Sequence, residues 1–149
     1  MTKPLPGDVV FRAKGPVSVP DRVLTPVGLT SPPERSPHVE HGQDGIAFRT
    51  DGWYEVLLRV EWDPANRDGT RFSHTKIPGQ EPLHSEAISA AVLIELNGGR
   101  QLLRGNSLFG PDRTTGLVLE VWQDSGTTVA LAYAELVVRE LAVPWRGPR

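Results

Sequence analysis

Gly52-Trp53-Tyr54-Glu55-Val56-Leu57-Leu58-Arg59-Val60-Glu61-Trp62 is the stretch that decides the fold. Tyr54, Val56, Leu58, Val60 and Trp62 fall on alternate positions. Successive strand side chains point to opposite faces, so these residues share one wholly apolar face. The opposite face carries Trp53, Glu55, Leu57, Arg59 and Glu61 and is mixed. Helical spacing would scatter the apolar set round a cylinder, so the stretch predicts a long central strand with one face on a core. Asp51-Gly52 turns the chain into it, and Asp63-Pro64 ends it, because proline cannot donate to a ladder.

Working outward, the N-terminal third is rich in proline. Eight of the fourteen prolines lie in residues 1–37, which excludes a long helix there. Val9–Ala13 reads as a first strand, Asp21–Leu24 as an edge strand and Ile46–Arg49 as a short strand before the central one. Thr70–Ile77 alternates weakly, as an edge strand would, and residues 65–85 read as an exposed, mobile segment open to proteolysis. Ile88–Leu96 reads as one strand, followed by Asn97-Gly98-Gly99 as a hairpin turn and Arg100–Gly105 as the answering strand. Thr114–Trp122 and Thr127–Tyr133 flank a turn at Asp124-Ser125-Gly126, with Val129, Leu131 and Tyr133 on one face. Leu136–Leu141 is out of phase with that face, which predicts a turn or bulge near Ala134-Glu135. No segment has a helical apolar stripe, so the pattern is all-β, a sandwich or barrel. Its expected core is Tyr54, Val56, Leu58, Val60, Trp62, Leu93 and Leu119.

The 149 residues suit one domain, 1–149, with flexible ends at 1–6 and 144–149. Net charge is −2 with no basic stripe, so nucleic acid is not an expected partner. There is no cysteine, which excludes disulfides, thiolate metal sites and cysteine nucleophiles. Met1–Asp8 lacks an apolar signal segment, and no apolar run is long enough to cross a bilayer. The expectation is a soluble chain, cytoplasmic or particle-associated, with no membrane partner.

The candidate chemistry is sparse. His38-Val39-Glu40-His41 is the one histidine cluster, and with His74 or His84 it offers ligands for a zinc-like ion. Positions three apart on a strand face opposite ways, and the His-x-His spacing of a cupin-type jelly-roll metal site is missing. Exposed loop histidines are the simpler reading, and no metal or cofactor is expected. Asp44, Asp51, Asp63, Asp68, Asp112 and Asp124 sit in or beside turns, where aspartate caps the backbone more often than it binds calcium. No Gly-x-Ser-x-Gly elbow and no phosphate-cradling loop is present. The sequence therefore points away from an enzyme.

The order of strands resembles the C1q/TNF-like jelly-roll superfamily, in its bacterial or phage-type members. Ile46-Ala47-Phe48 leading to Gly52-Trp53-Tyr54 resembles that superfamily's apolar strand followed by Gly-x-Tyr. Val92–Gly98 resembles its strand ending in Asn-Gly, and Gly116–Leu119 running to Asp124–Thr127 resembles its strand-turn-strand. Tyr133–Val138 stands in the place of the last strand, and the match spans residues 7–143. The usual loop before that strand is nearly absent, and Glu135 stands where the family often has glycine. The resemblance implies a two-sheet antiparallel jelly-roll β-sandwich that assembles as a homotrimer and presents loops to a protein or glycan partner. It also places the central strand near the threefold axis. Trp53, Glu55, Leu57 and Arg59 are then the expected trimer interface, with Glu55 of one chain meeting Arg59 of the next. The alternative is a metal-dependent, cupin-like jelly-roll enzyme using His38, Glu40 and His41 with His74 or His84.

Overall fold

The computed structural model describes residues 8–30, 38–42, 45–48, 52–77, 82, 84–105 and 116–141. The expected flexible ends, 1–6 and 144–149, lie outside the described residues, as do Asp44, Asp51 and Asp112. The described chain is all-β, a two-sheet antiparallel jelly-roll sandwich. Its strands are β1 (Val9–Ala13), β2 (Val17–Val19), β3 (Thr25–Pro26), β4 (Leu29–Thr30), β5 (Val39–Gly42) and β6 (Gly45–Phe48). They continue as β7 (Gly52–Trp62), β8 (Thr70–Lys76), β9 (His84–Ser89), β10 (Glu95–Gly105), β11 (Val118–Gln123) and β12 (Val129–Glu140).

The pairing is nested. β1 pairs β12, Ile46 at the start of β6 bridges Leu117 just before β11, β7 pairs β10, and β8 pairs β9. One long antiparallel hairpin, rolled up across two sheets, gives this order. One main sheet runs β10-β7-β12-β1-β4, with β2 also on β12, the facing one runs β3-β11-β8-β9, and β5 and β6 form a separate two-stranded sheet. β7 therefore lies inside its sheet, between β10 and β12.

Tyr54, Val56, Leu58, Val60 and Trp62 are all buried, as the alternation requires. They meet Phe11, Leu131, Leu136 and Val138 of their own sheet and Leu117, Leu119 and Val121 of the facing one in a single core. Phe48 packs at a tilt on Tyr54, with ring centroids 4.9 Å apart. The core reaches through both layers, which is why one strand's apolar face sets the whole arrangement.

Five expectations are corrected. Asn97-Gly98-Gly99 is not a hairpin turn, because β10 runs straight through it and shifts register on β7 between Asn97 and Gly99. A glycine pair inside a strand marks a bulge as readily as a turn. The chain reverses earlier, through Ala90–Leu93, where the amides of Val92 and Leu93 donate to the Ser89 carbonyl at 3.0 and 2.8 Å. Leu93, expected in the core, is exposed on that turn. The phase shift in the last strand falls between Leu131 and Tyr133, earlier than Ala134-Glu135. Tyr133 consequently leaves the face of Val129 and Leu131 and stands opposite Glu61 on the outer side. Asp21–Leu24 is not a strand: Asp21 makes an isolated bridge with Gln123, and β2 and β3 lie on either side.

β8 is the last correction. It lies between β11 and β9 rather than at an edge, and most of its residues are buried, so residues 70–77 are not an exposed segment. Residues 78–81 and 83 lie outside the described residues. The weak alternation arises because Arg71, Ser73 and Thr75, all buried, are polar residues turned toward the core. Arg71 stacks its guanidinium over Trp62, 5.5 Å from the ring centroid. It donates to the carbonyls of Asp68 at 2.7 Å and Asn66 at 3.0 Å. Burial lowers its pKa, with Asp124 and Asp68 opposing. The side chain thereby fastens the loop before β8 to the core.

Two outcomes test this packing. Leu58→Ala should cost about 2–5 kcal/mol in urea denaturation, since it removes a fully buried side chain from the middle of the core. Gly69→Ala should cost about 1–3 kcal/mol, because φ is +74° and an added Cβ would lie 2.5 Å from Asp124 Oδ1.

Candidate functional site

The outer face of the six-stranded sheet is organised in rows, because directly opposed residues on neighbouring strands share a face. Leu57 stands opposite Val137, which stands opposite Val10. Glu55 stands opposite Arg139 on one side of that apolar row. On the other side Arg59 stands opposite Glu135, and Glu135 opposite Arg12. An apolar band thus runs between two ionic rows. Val137 is buried, while Leu57, Val10 and Trp53 are half-buried.

The first ionic row is closed within the chain. Arg139 Nε and Nη2 donate to Asp8 Oδ1 and Oδ2 at 2.7 and 3.0 Å, and Nη1 donates to Glu55 Oε1 at 3.1 Å. The Asp8 side chain is fully buried and that of Glu55 nearly so. The hydrogen bonds to Asp8 raise the Arg139 pKa, and the Glu55 charge adds to the effect. The second row is a relay. Arg12 Nε donates to the Tyr133 hydroxyl at 3.1 Å, and that hydroxyl donates to Glu135. Burial and the bond to Glu135 raise the Tyr133 pKa, and the bond to Tyr133 raises that of Arg12. Arg59 lies over the Tyr133 ring, 5.2 Å from its centroid, and donates to Glu61 Oε1 at 2.6 Å.

The expected interface residues Trp53, Glu55, Leu57 and Arg59 do share this face, but an interchain Glu55–Arg59 pair is not needed to neutralise either charge. Glu55 meets Arg139, and Arg59 meets Glu61, within one chain. Arg139, Tyr133 and Arg12 belong to the same surface, and the sequence reading missed them. The bulge that turns Tyr133 outward hid its place, and Arg12 and Arg139 join the face only through the β1–β12 pairing.

The outer face of the four-stranded sheet carries a smaller cluster. His74 and Glu120 stand directly opposite each other on β8 and β11, with His74 Nε2 2.7 Å from Glu120 Oε1. Lys76 Nζ lies 3.2 Å from the same oxygen, and Phe72 meets the His74 ring edge-on at 5.3 Å. Burial alone pushes the Glu120 carboxyl up, but the hydrogen bonds from His74 and Lys76 together outweigh it and hold the pKa below the ordinary range.

The histidines do not assemble. His38 Nε2 lies 2.6 Å from Glu140 Oε2, while Glu40 and His41 are successive residues of β5, opposite Ala47 and Ile46. His74 is committed to Glu120, and the His84 side chain lies outside the described residues. Among the described residues no three His, Asp or Glu side chains converge as metal ligands. Two of the turn aspartates, Asp63 and Asp124, act as backbone acceptors, and so does Asp21. Asp63 Oδ1 takes the Ala65 amide, Asp124 Oδ1 the Thr70 amide and Asp21 Oδ1 the Gly126 amide. No protein-family model matches the chain, and no curated protein matches it significantly.

Two measurements probe these clusters. Because the folded-state pKa of Glu120 is depressed, its stabilisation is fully present above the ordinary glutamate range and is lost as the pH falls through the lower folded value. Denaturation curves across acid pH should show that loss, and Glu120→Gln should remove it. Arg139→Ala should cost about 3 kcal/mol, because it takes the guanidinium from two buried carboxylates.

Proposed function

We propose that the protein is a non-enzymatic, homotrimeric binding or structural module of the C1q/TNF-like kind. It presents its loop ends to a protein or glycan partner, as part of a bacterial or phage surface assembly. One observation carries the reading: the outer face of the six-stranded sheet is an apolar band between two ionic rows. A sandwich whose outer face meets only water favours polar residues there, yet Leu57, Val137, Val10 and Trp53 occupy this one.

The charges of both rows are met within the chain, Arg139 by Asp8 and Glu55, Arg12 by Glu135 and Arg59 by Glu61. What a second copy would cover is the apolar band between them. The nested strand order also suits the family resemblance, which contributes the expectation of three copies.

Light scattering on a sizing column tests this reading. The expected mass at micromolar concentration is three times that of the chain, and a monomer mass overturns it. Leu57→Asp, which places a charge in the apolar band, should shift the trimer to monomer without unfolding it.

A further inference from the structure

Phe72 and Trp122 stand directly opposite each other on β8 and β11. Their chain neighbours Arg71, Ser73, Val121 and Gln123 are buried, so strand alternation turns both rings to the outer face of the four-stranded sheet. Folding leaves each ring half-buried, with part of a large apolar surface still in water. The next row on that face is His74 opposite Glu120, and the row after it is Lys76 opposite Val118. β9 sets Ala87 beside Phe72 and Ser85 beside His74, both small and exposed. β3 sets Pro26, also exposed, beside Glu120. The two aromatic side chains thus form an open shelf, because these neighbours are too short to wall it in.

The polar row next to the shelf is bonded unevenly. His74 Nε2 at 2.7 Å and Lys76 Nζ at 3.2 Å both meet the same carboxylate oxygen, Glu120 Oε1. Among the described residues nothing bonds Glu120 Oε2, and Lys76 Nζ has no contact beyond that one. An ammonium group carries three donors, and each carboxylate oxygen has two lone pairs. At least two N–H donors and one whole carboxylate oxygen are therefore left over. All three side chains reach solvent, with His74 10% exposed, Glu120 19% and Lys76 28%. The charges of Glu120 and Lys76 cancel, so the row offers a ligand hydrogen-bonding capacity rather than net charge.

We infer that this face binds a neutral glycan. One hexopyranose ring lies flat on Phe72 and Trp122, and hydroxyls of that ring or of the next sugar meet Glu120 Oε2 and Lys76 Nζ. A pyranose has the two features that the face asks for. Its C–H face is apolar and packs on an aromatic ring, and its adjacent hydroxyls both donate and accept. The strands stand about 4.8 Å apart, so two rings side by side make a shelf on the scale of a single sugar. An anion approaching Lys76 meets the Glu120 charge, and a cation approaching Glu120 meets the Lys76 charge. A protein anchor residue needs a walled pocket, which Ala87, Ser85 and Pro26 do not build.

The inference rests on the binding-module reading, whose ligand class it names, and not on the trimer. The shelf lies on the other side of the sandwich from the apolar band of Leu57, Val137 and Val10, and stays open when that band is covered. A monomer that binds glycan sinks the trimer and keeps the shelf, and a trimer that binds no glycan does the reverse.

Titration calorimetry of the full chain with cellohexaose, mannohexaose and maltohexaose, and with a heparin hexasaccharide as the anionic comparison, tests it. At least one neutral hexasaccharide should bind, with one site per chain. Trp122→Ala and Lys76→Met should each weaken that binding by at least about tenfold while the melting transition is retained. If Trp122→Ala fails to fold, Lys76→Met decides, since it keeps the aliphatic stem and removes only the donors. No binding of any neutral probe at millimolar concentration overturns the inference, as does undiminished binding by the folded variants. Tighter binding of the heparin hexasaccharide than of every neutral probe also overturns it and assigns His74 and Lys76 to an anion.

Discussion

An eleven-residue strand with unbroken alternation is the constraint on which the rest of the sandwich depends. β7 keeps strict phase from Gly52 to Trp62, so its neighbours absorb the mismatch that sheet twist produces over such a length. β10 gives way at Gly98 and β12 at Ala132, each with one residue outside the register. Both bulges lie toward the Trp62 end of β7, where pairing shifts beside Leu58 and beside Trp62. The β12 bulge has a chemical consequence. Beyond it Tyr133 faces outward, and its hydroxyl becomes the link between Arg12 and Glu135.

The facing sheet solves a different problem. β8 is a central strand, yet it turns Arg71, Ser73 and Thr75 inward, all of them buried. A buried arginine is tolerable when its charge meets a π face and most of its donors meet carbonyls; Arg71 lies over Trp62 and its Nη1 and Nη2 donate to the carbonyls of Asp68 and Asn66, which leaves only the buried Nε without an acceptor. The loop that the arginine holds is also the loop whose Gly69 accepts the Ala90 amide. Interior polarity in β8 is thereby coupled to the geometry of the pole where the chain crosses between sheets.

The sequence reading succeeds where alternation is strong and fails where the same residues serve two conformations. β7 emerges with the ends that Asp51-Gly52 and Asp63-Pro64 predict, because five large apolar residues at period two allow no other face. Asn97-Gly98-Gly99 misleads because turns and bulges both favour asparagine and glycine, and the distinguishing information is the pairing of β10 on β7. Leu93 misleads because its neighbours are strand formers, although the turn that exposes it is closed on Ser89. β8 resists assignment because its inward residues are polar, and the contacts that satisfy Arg71, a ring of the preceding strand and carbonyls of the intervening loop, leave no mark in the alternation. Half of the outer face was legible in Trp53, Glu55, Leu57 and Arg59. The rest depends on the pairings of Arg12 and Arg139, which join residues more than a hundred positions apart.

The ionic rows also bear on what covering that face would cost. A lone surface ion must shed water when a partner covers it, and that penalty often cancels the gain. Asp8 and Glu55 have already shed theirs on folding, with Arg139 supplying the compensating charge. Glu135 has likewise been drawn in against Arg12 and Tyr133. Covering the face therefore removes little further hydration from these carboxylates, and the apolar band of Leu57, Val137 and Val10 supplies the driving force. The guanidinium groups remain partly hydrated at the edges of the band, Arg12 most of all. Against a partner they would govern register and orientation more than affinity, because exposed ion pairs discriminate between arrangements at small net gain. A face with internally paired carboxylates and an apolar centre would thus lose little hydration from its charges on being covered, and the contacts that pair them are the ones that hold β1, β7 and β12 together.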